Sequence, residues 1–333
     1  MKKLINSVEN VVDDMLEGLA AAYPQYVKRV PGTSVITRAG GPTKGKVGLV
    51  SGGGSGHEPS HAGYVGYGML DSAVAGAVFT SPTPDQVYEG IKAANGGAGV
   101  LLIIKNYTGD VMNFEMAGEM AEAEGIEIAS VVVNDDVAVE NSTYTTGRRG
   151  IAGTVFVHKI AGAKAEAGGS LAEVKAVAEK VIANVRSMGM ALTPCIVPAA
   201  GKPGFELGEN EVEIGMGIHG EPGTHREELR PAKDIAAHLT HKVMDDLKLK
   251  AGDEVAVMVN GLGGTPLMEL FIMNKTVSEI LKDAGVKVHK TFVGEYMTSL
   301  EMAGCSVTLL RLDDELKALL DAPAETPAIR QGR

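Results

Sequence analysis

Apolar residues recur at three- and four-residue spacing near the amino terminus, at Val8, Val11, Val12, Met15, Leu16 and Leu19. That spacing predicts a helix over most of residues 1–25. The period then changes. A short apolar strand is expected over 47–50, ending abruptly in Ser51-Gly52-Gly53-Gly54-Ser55-Gly56-His57-Glu58-Pro59. A second strand is expected within 69–78, broken by Gly76. Ser81-Pro82-Thr83-Pro84 is a helix start signal, and a helix is expected over about 83–94. The continuous apolar run 99–104 reads as a strand buried on both faces. A helix over 110–123 and a strand over 129–133 follow. Strand and helix alternation of this kind predicts a largely parallel sheet with helices over it.

The pattern shifts in the second half. A long alanine-rich helix is expected over 170–188. Residues 193–203 are extended and proline-punctuated, and 211–217 resembles a strand. A helix over 233–247 and a strand over 255–259 lead into Asn260-Gly261-Leu262-Gly263-Gly264-Thr265-Pro266. A helix over 267–284 and strands over 286–293 and 306–312 complete a second α/β unit. The expected fold class is therefore α/β, with two α/β domains, each a β-sheet covered by helices. Residues 1–185 form the first, with the glycine-rich loop, and 190–333 the second; the boundary falls near 185–195. No internal repeat is visible.

Length and composition agree with this picture. A chain of 333 residues suits two domains. A 44% hydrophobic share argues against disorder. No run approaches eighteen apolar residues, which excludes a transmembrane helix. The opening Met1-Lys2-Lys3-Leu4-Ile5-Asn6 is no secretory signal, so a cytoplasmic protein is expected. The net charge of −11 makes nucleic acid and anionic membrane poor partners. Cys195 and Cys305 lie far apart in small or apolar surroundings; they read as buried packing residues in a reducing compartment. The 43 glycines, about 13% against a usual 7% or so, cluster between apolar runs, where backbone turns tightly or approaches a ligand.

Four constellations carry candidate chemistry. Gly52 to Gly56 follow a strand, and consecutive glycines can turn N–H groups toward a polar ligand; they can equally form a mobile turn. His57 beside them is placed for proton transfer. His57 and His61 have the spacing of two metal ligands, but Pro59 between them opposes a regular helix and no third ligand follows, so no metal is expected. Lys105 and Asp110 stand at the end of the buried strand, where parallel sheets bind ligands. Lys105 can bond a substrate oxygen or be a surface ion. Asp110 can act as a base, hold a hydroxyl, or cap a helix. His219 lies among Gly215, Gly217, Gly220 and Gly223, and a neutral imidazole there could attack a carbonyl. The turn at 260–266 could serve a ligand or simply permit tight packing, with the structural reading favoured, and Asn134-Asp135-Asp136 is open in the same way. Arg148 and Arg149 could contact a phosphate-bearing partner or form a solvated loop. His158, His225, His238, His241 and His289 read as ordinary surface or packing residues.

Six runs together resemble the dihydroxyacetone kinases: residues 51–59, 79–85, 101–110, 144–150, 197–203 and 217–223. Within that family the resemblance is to the dihydroxyacetone-binding subunit of the bacterial phosphotransferase-dependent kinase, over essentially the whole chain. It implies that His219 binds dihydroxyacetone covalently as a hemiaminal. Gly54, Ser55, Gly56, His57, Lys105 and Asp110 match substrate-site residues; Asp110 matches the base for the attacking hydroxyl, and His57 a residue for positioning and proton transfer. It further implies no cofactor on this chain. ADP/ATP with Mg is expected on a separate kinase subunit, recharged by a multiphosphoryl protein of the phosphotransferase system, because no helical ATP-binding region follows residue 333. A homodimer is also implied. The alternative the resemblance leaves open is a non-catalytic, dihydroxyacetone-binding co-activator paralogue in gene regulation.

Overall fold

The computed structural model describes residues 2–332. After helix α1 (Val11–Ala22), six strands form the first sheet: β1 (Val27–Arg29), β2 (Val35–Arg38), β3 (Gly48–Ser55), β4 (Ser72–Val78), β5 (Val100–Lys105) and β6 (Ile128–Val133). Their spatial order is β1-β2-β4-β3-β5-β6. The last four run parallel, while β1 and β2 add an antiparallel margin. Along the central strands alternate residues face opposite sides. Val50, Val74 and Leu102 pack beneath α2 (Pro84–Ala94) and α3 (Thr108–Ala123). Leu49, Leu101 and Ile103 face α4 (Thr154–Glu166) and α5 (Leu171–Asn184).

The second sheet comprises β7 (Val185–Ala191), β8 (Glu211–Ile214), β9 (His225–Glu228), β10 (Glu254–Gly261), β11 (Lys287–Gly294) and β12 (Gly304–Arg311). Its order is β11-β10-β12-β7-β8-β9, and only β10 and β11 are parallel. Helices α6 (Ala232–Leu247) and α7 (Leu267–Asp283) cover one face. Ala256, Met258 and Leu310 of the other face join the core that holds α4, α5 and the last helix, α8 (Asp314–Asp321). The chain is therefore mixed α/β, with two helix-covered sheets and one hydrophobic core running between them.

Several elements differ from their predicted form. The first helix spans only Val11–Ala22, with Asp13 and Asp14 in its first turn, where the helix dipole favours acids. The glycine run is not a loop: β3 continues through it to Ser55. The alanine-rich helix ends at Asn184, and residues 185–191 form strand β7, paired with β12 and β8. Pairing inside the sheet overrides the helical composition there. Strands β1, β2 and β9 and helix α4 had no counterpart in the periodicity. Helix α4 is buried on nearly every side, so it shows no polar face to detect.

Candidate active site

The site begins where the first sheet opens. Strand β3 pairs with β4 as far as Ser55, but with β5 only as far as Ser51. The chain leaves β3 toward β4 and leaves β5 toward β6, so a crevice opens between their carboxyl ends at a topological switch point. The fully buried Lys105 side chain occupies it. Its Nζ donates to the Gly52 carbonyl at 3.2 Å and to His61 Nε2 at 2.9 Å, and lies 3.6 Å from Asp110 Oδ2. A Cβ on Gly53 would stand 2.4 Å from that Nζ, which explains the glycine. Burial lowers the Lys105 pKa, and Asp110 works against it. Asp110 sits inside the first turn of α3, and the cap position is Tyr107, so the capping role does not apply. Asp110 Oδ1 is buried without a hydrogen-bond partner among the described residues.

His57 is fully buried, and its Nδ1 bonds the Thr298 carbonyl at 2.8 Å. That carbonyl accepts only, so the proton sits on Nδ1 and Nε2 carries the lone pair. Nε2 is buried and has no partner among the described residues. Asn260 positions the carbonyl: its Oδ1 accepts from the N–H groups of Tyr296 and Met297 at 2.8 and 2.9 Å, and its Nδ2 donates to the Met297 carbonyl at 2.8 Å. Phe79 stacks on the His57 ring at 5.1 Å, and both Phe79 and Leu300, which flanks Gly56, adopt the left-handed backbone region. Burial, then His219 and Lys105, push the His57 pKa well below its usual value, so it is neutral at pH 7.

His219 enters from the other sheet, on the loop after β8. Its ring stands 4.8 Å from that of His57 and 4.6 Å from that of Tyr107, edge-on to both. Glu221 folds back beneath it. One carboxylate oxygen accepts from the His219 backbone N–H at 2.8 Å, and the other bonds Nδ1 at 2.9 Å. The Nδ1 proton is thereby fixed and Nε2 left free. Burial works against the Glu221 charge, but His219 and then Arg149 hold its pKa down to about 2. A Cβ on Gly217 would meet that carboxylate at 2.2 Å. Arg149 pins the loop from below. It pairs with Asp136 at 2.8 Å and donates to the carbonyls of Gly215 and Pro222 at 2.7 and 3.3 Å.

The structure thus brings His57, Lys105, Asp110 and His219 together from both sheets. Gly54 packs against Phe79 and Thr80, and Gly56 against Phe79 and Leu300, with no room for a Cβ. The Ser55 hydroxyl donates to the Gly76 carbonyl at 2.7 Å, and the Gly56 N–H is taken by the Glu58 carboxylate at 3.1 Å. Neither arginine forms a solvated loop: Arg149 is fully buried, and Arg148 pairs with Asp246 at 2.6 Å. His158 is buried against His61 at 2.9 Å. Both cysteines are buried, and burial pushes the Cys305 thiol up to about 12. Sequence reasoning missed Glu221 and the roles of Asn260, Asp136 and Arg149. For Glu221 a signal existed, an acid two residues beyond the histidine in a glycine loop.

Comparison with known proteins follows the same outline. The sequence model of the Dak1 domain matches residues 17–328. The chain is 61% identical over 329 residues to a Listeria innocua protein named PTS-dependent dihydroxyacetone kinase 1, dihydroxyacetone-binding subunit DhaK, covering 98% of this chain and all of that one. Among solved structures it is similar to the dihydroxyacetone kinase operon co-activator Dha-DhaQ, with TM-score 0.91, 37% identity and coverage of 96% and 98% of the two chains. The dihydroxyacetone kinase of C. freundii in complex with AMP-PNP and Mg2+ superposes with TM-score 0.91 at 34% identity, over 99% of this chain and 61% of that one. No helix among the described residues is long and apolar enough to cross a membrane.

Proposed function

The chain belongs to the Dak1 domain family, and on that premise we propose that it is the dihydroxyacetone-binding subunit of a phosphotransferase-dependent dihydroxyacetone kinase. One observation carries the reading. Near a histidine with its Nδ1 engaged by a carboxylate lie buried acceptor atoms without partners among the described residues, His57 Nε2 and Asp110 Oδ1. Buried polar atoms left unpaired cost free energy, and a polar ligand that donates to them removes that cost.

The chemistry follows from the protonation states. The lone pair of His219 Nε2 attacks the carbonyl carbon of dihydroxyacetone. A nitrogen–carbon bond forms, the carbonyl π bond breaks, and the oxygen takes up a proton from solvent to give a hemiaminal. Positive charge then develops on the imidazole and is met by Glu221. Compounds without a carbonyl, such as glycerol, are not captured. Asp110 Oδ1 accepts the proton of the substrate hydroxyl as that oxygen attacks phosphorus, and His57 Nε2 accepts from a substrate hydroxyl and orients it. Lys105 offers an N–H to the same crevice. The phosphoryl group comes from ATP, held with Mg on a separate subunit and regenerated there from ADP by the phosphotransferase system's multiphosphoryl protein. A cytoplasmic homodimer completes the proposal.

The test combines phosphorylation with intact mass. The chain is mixed with a nucleotide-carrying subunit and its phosphoryl donor system, and dihydroxyacetone phosphate is measured. His219→Ala should lose the substrate-sized mass increase and all turnover. Asp110→Asn should keep the mass increase and lose turnover by about 10²- to 10⁴-fold. Normal turnover by Asp110→Asn would remove Asp110 as the base. Capture by the unaltered chain without any turnover would assign it to the co-activator class instead. The presence of both His57 and Asp110 favours the enzyme, since capture alone needs no base.

A further inference from the structure

We infer that His61 is a positioning residue for this reaction, acting through Lys105, and that His158 fixes the tautomer in which it does so. The inference rests on the kinase reading above and extends it to two residues outside the substrate contacts.

The argument counts protons. A lysine ammonium has three N–H donors and no acceptor. Lys105 commits one to the Gly52 carbonyl at 3.2 Å and one to His61 Nε2 at 2.9 Å. The third is left for Asp110, 3.6 Å away, and for a substrate oxygen in the same crevice. Because Lys105 donates, His61 Nε2 accepts, and the His61 proton sits on Nδ1. Nδ1 has one partner, His158 Nε2 at 2.9 Å, which must accept in turn. The His158 proton is then on Nδ1, which is buried without a partner among the described residues, so the relay ends there. It sets tautomers and does not conduct protons. His61 is 5% exposed and His158 not at all. Packing alone would be served by an apolar side chain without an orphaned N–H. What the imidazole adds is one acceptor at the atom that orients the ammonium. Without it, Lys105 has two free N–H groups and no fixed direction toward the base.

The experiment compares His61→Leu with His61→Gln in the reconstituted kinase, with capture on His219 read by intact mass. Glutamine places Oε1 close to the histidine Nε2 position and can accept from Lys105. His61→Leu should lower kcat about ten- to hundredfold, the worth of one hydrogen bond to a charged group, with capture retained. His61→Gln should recover most of that loss. Unchanged kcat in His61→Leu, equal losses in both variants, or capture lost in step with kcat would each overturn the inference. Histidine ¹⁵N spectra of the unaltered chain decide it independently of folding in the variants. Nε2 of His61 should be unprotonated and Nδ1 protonated, and a protonated Nε2 refutes the arrangement. Failure of the unaltered chain to phosphorylate would strike the kinase reading and leave the tautomer result standing.

Discussion

Glu221→Gln is the most direct probe of the nucleophilic role proposed for His219. The carboxylate holds two donors of the residue it serves, the backbone N–H and Nδ1 of His219. Glutamine cannot do both. With its oxygen toward the backbone N–H, its NH₂ faces Nδ1, and the imidazole proton moves to Nε2, where it occupies the attacking lone pair. With the amide turned over, the NH₂ meets the backbone N–H and that bond is lost. The Glu221 carboxyl is held at about 2 against a usual 4.5, despite burial. That lowering comes first from His219, so it reflects how strongly the carboxylate favours a positive imidazole beside it. The folded pKa lies below the unfolded one, so the contribution is complete above pH 4.5 and fades only as pH falls toward 2. Neutral assays therefore read its full effect. A hydrogen bond to a charged group is worth about 1.5–3 kcal/mol, so capture affinity should fall about ten- to hundredfold. The assay is intact-mass titration with dihydroxyacetone at pH 7.5, beside a thermal unfolding control. A folded Glu221→Gln protein that captures with unaltered affinity refutes the role of the carboxylate.

Arg149→Met should destabilise the fold by about 3–5 kcal/mol in urea unfolding, because it leaves Asp136 buried and unpaired. Adding Asp136→Leu should restore part of the loss; a single variant as stable as the parent would contradict the pinning role. Acid should weaken the fold well above the carboxylate range. Burial holds His158 at about 3, and burial with neighbouring charges holds His57 and His61 well below 6.5. The unfolded chain therefore binds more protons below pH 6.5, and each histidine costs about 1.4 kcal/mol by pH 5.5. Asp136, raised to about 6 by burial against the pull of Arg149, offsets part of this by favouring the folded state as pH falls. Urea unfolding at pH 7.5 and 5.5 measures the net loss, and equal stability at the two values would contradict it.

The parts of the fold legible in the sequence were those announced within their own residues, by helical spacing, a helix start signal or a short bounded apolar run. Helices α2, α3, α6 and α7 and strands β5 and β6 lie within a residue or two of their predicted positions. Helix α4 escaped because burial on nearly all sides erases the periodicity. The glycine run misled for a related reason. Glycine is a poor strand former, yet β3 needs it, since Val74, Lys105 and Thr80 occupy the space where side chains would stand. That requirement comes from other segments, and nothing in residues 51–56 announces it. The residues proposed to meet a ligand could be singled out because their chemical types and glycine settings are local. The residues that set their protonation states were not, because Thr298, Asn260, Arg149 and Asp136 act from distant parts of the chain.

The two central histidines show why those missed partners matter most. Both have Nδ1 engaged and Nε2 free, but the acceptors differ in charge. His57 bonds a neutral carbonyl, and burial beside Lys105 and His219 keeps it unprotonated. It is suited to accept a hydrogen bond and poorly suited to become a cation. His219 bonds a carboxylate whose own charge is maintained despite burial, so a positive imidazole there is matched at once. Attack on a carbonyl creates that positive charge on the attacking ring. Of two imidazoles with ring centroids 4.8 Å apart, the one backed by Glu221 is the better placed to carry it, which supports the proposed division of His219 for bond formation and His57 for orientation.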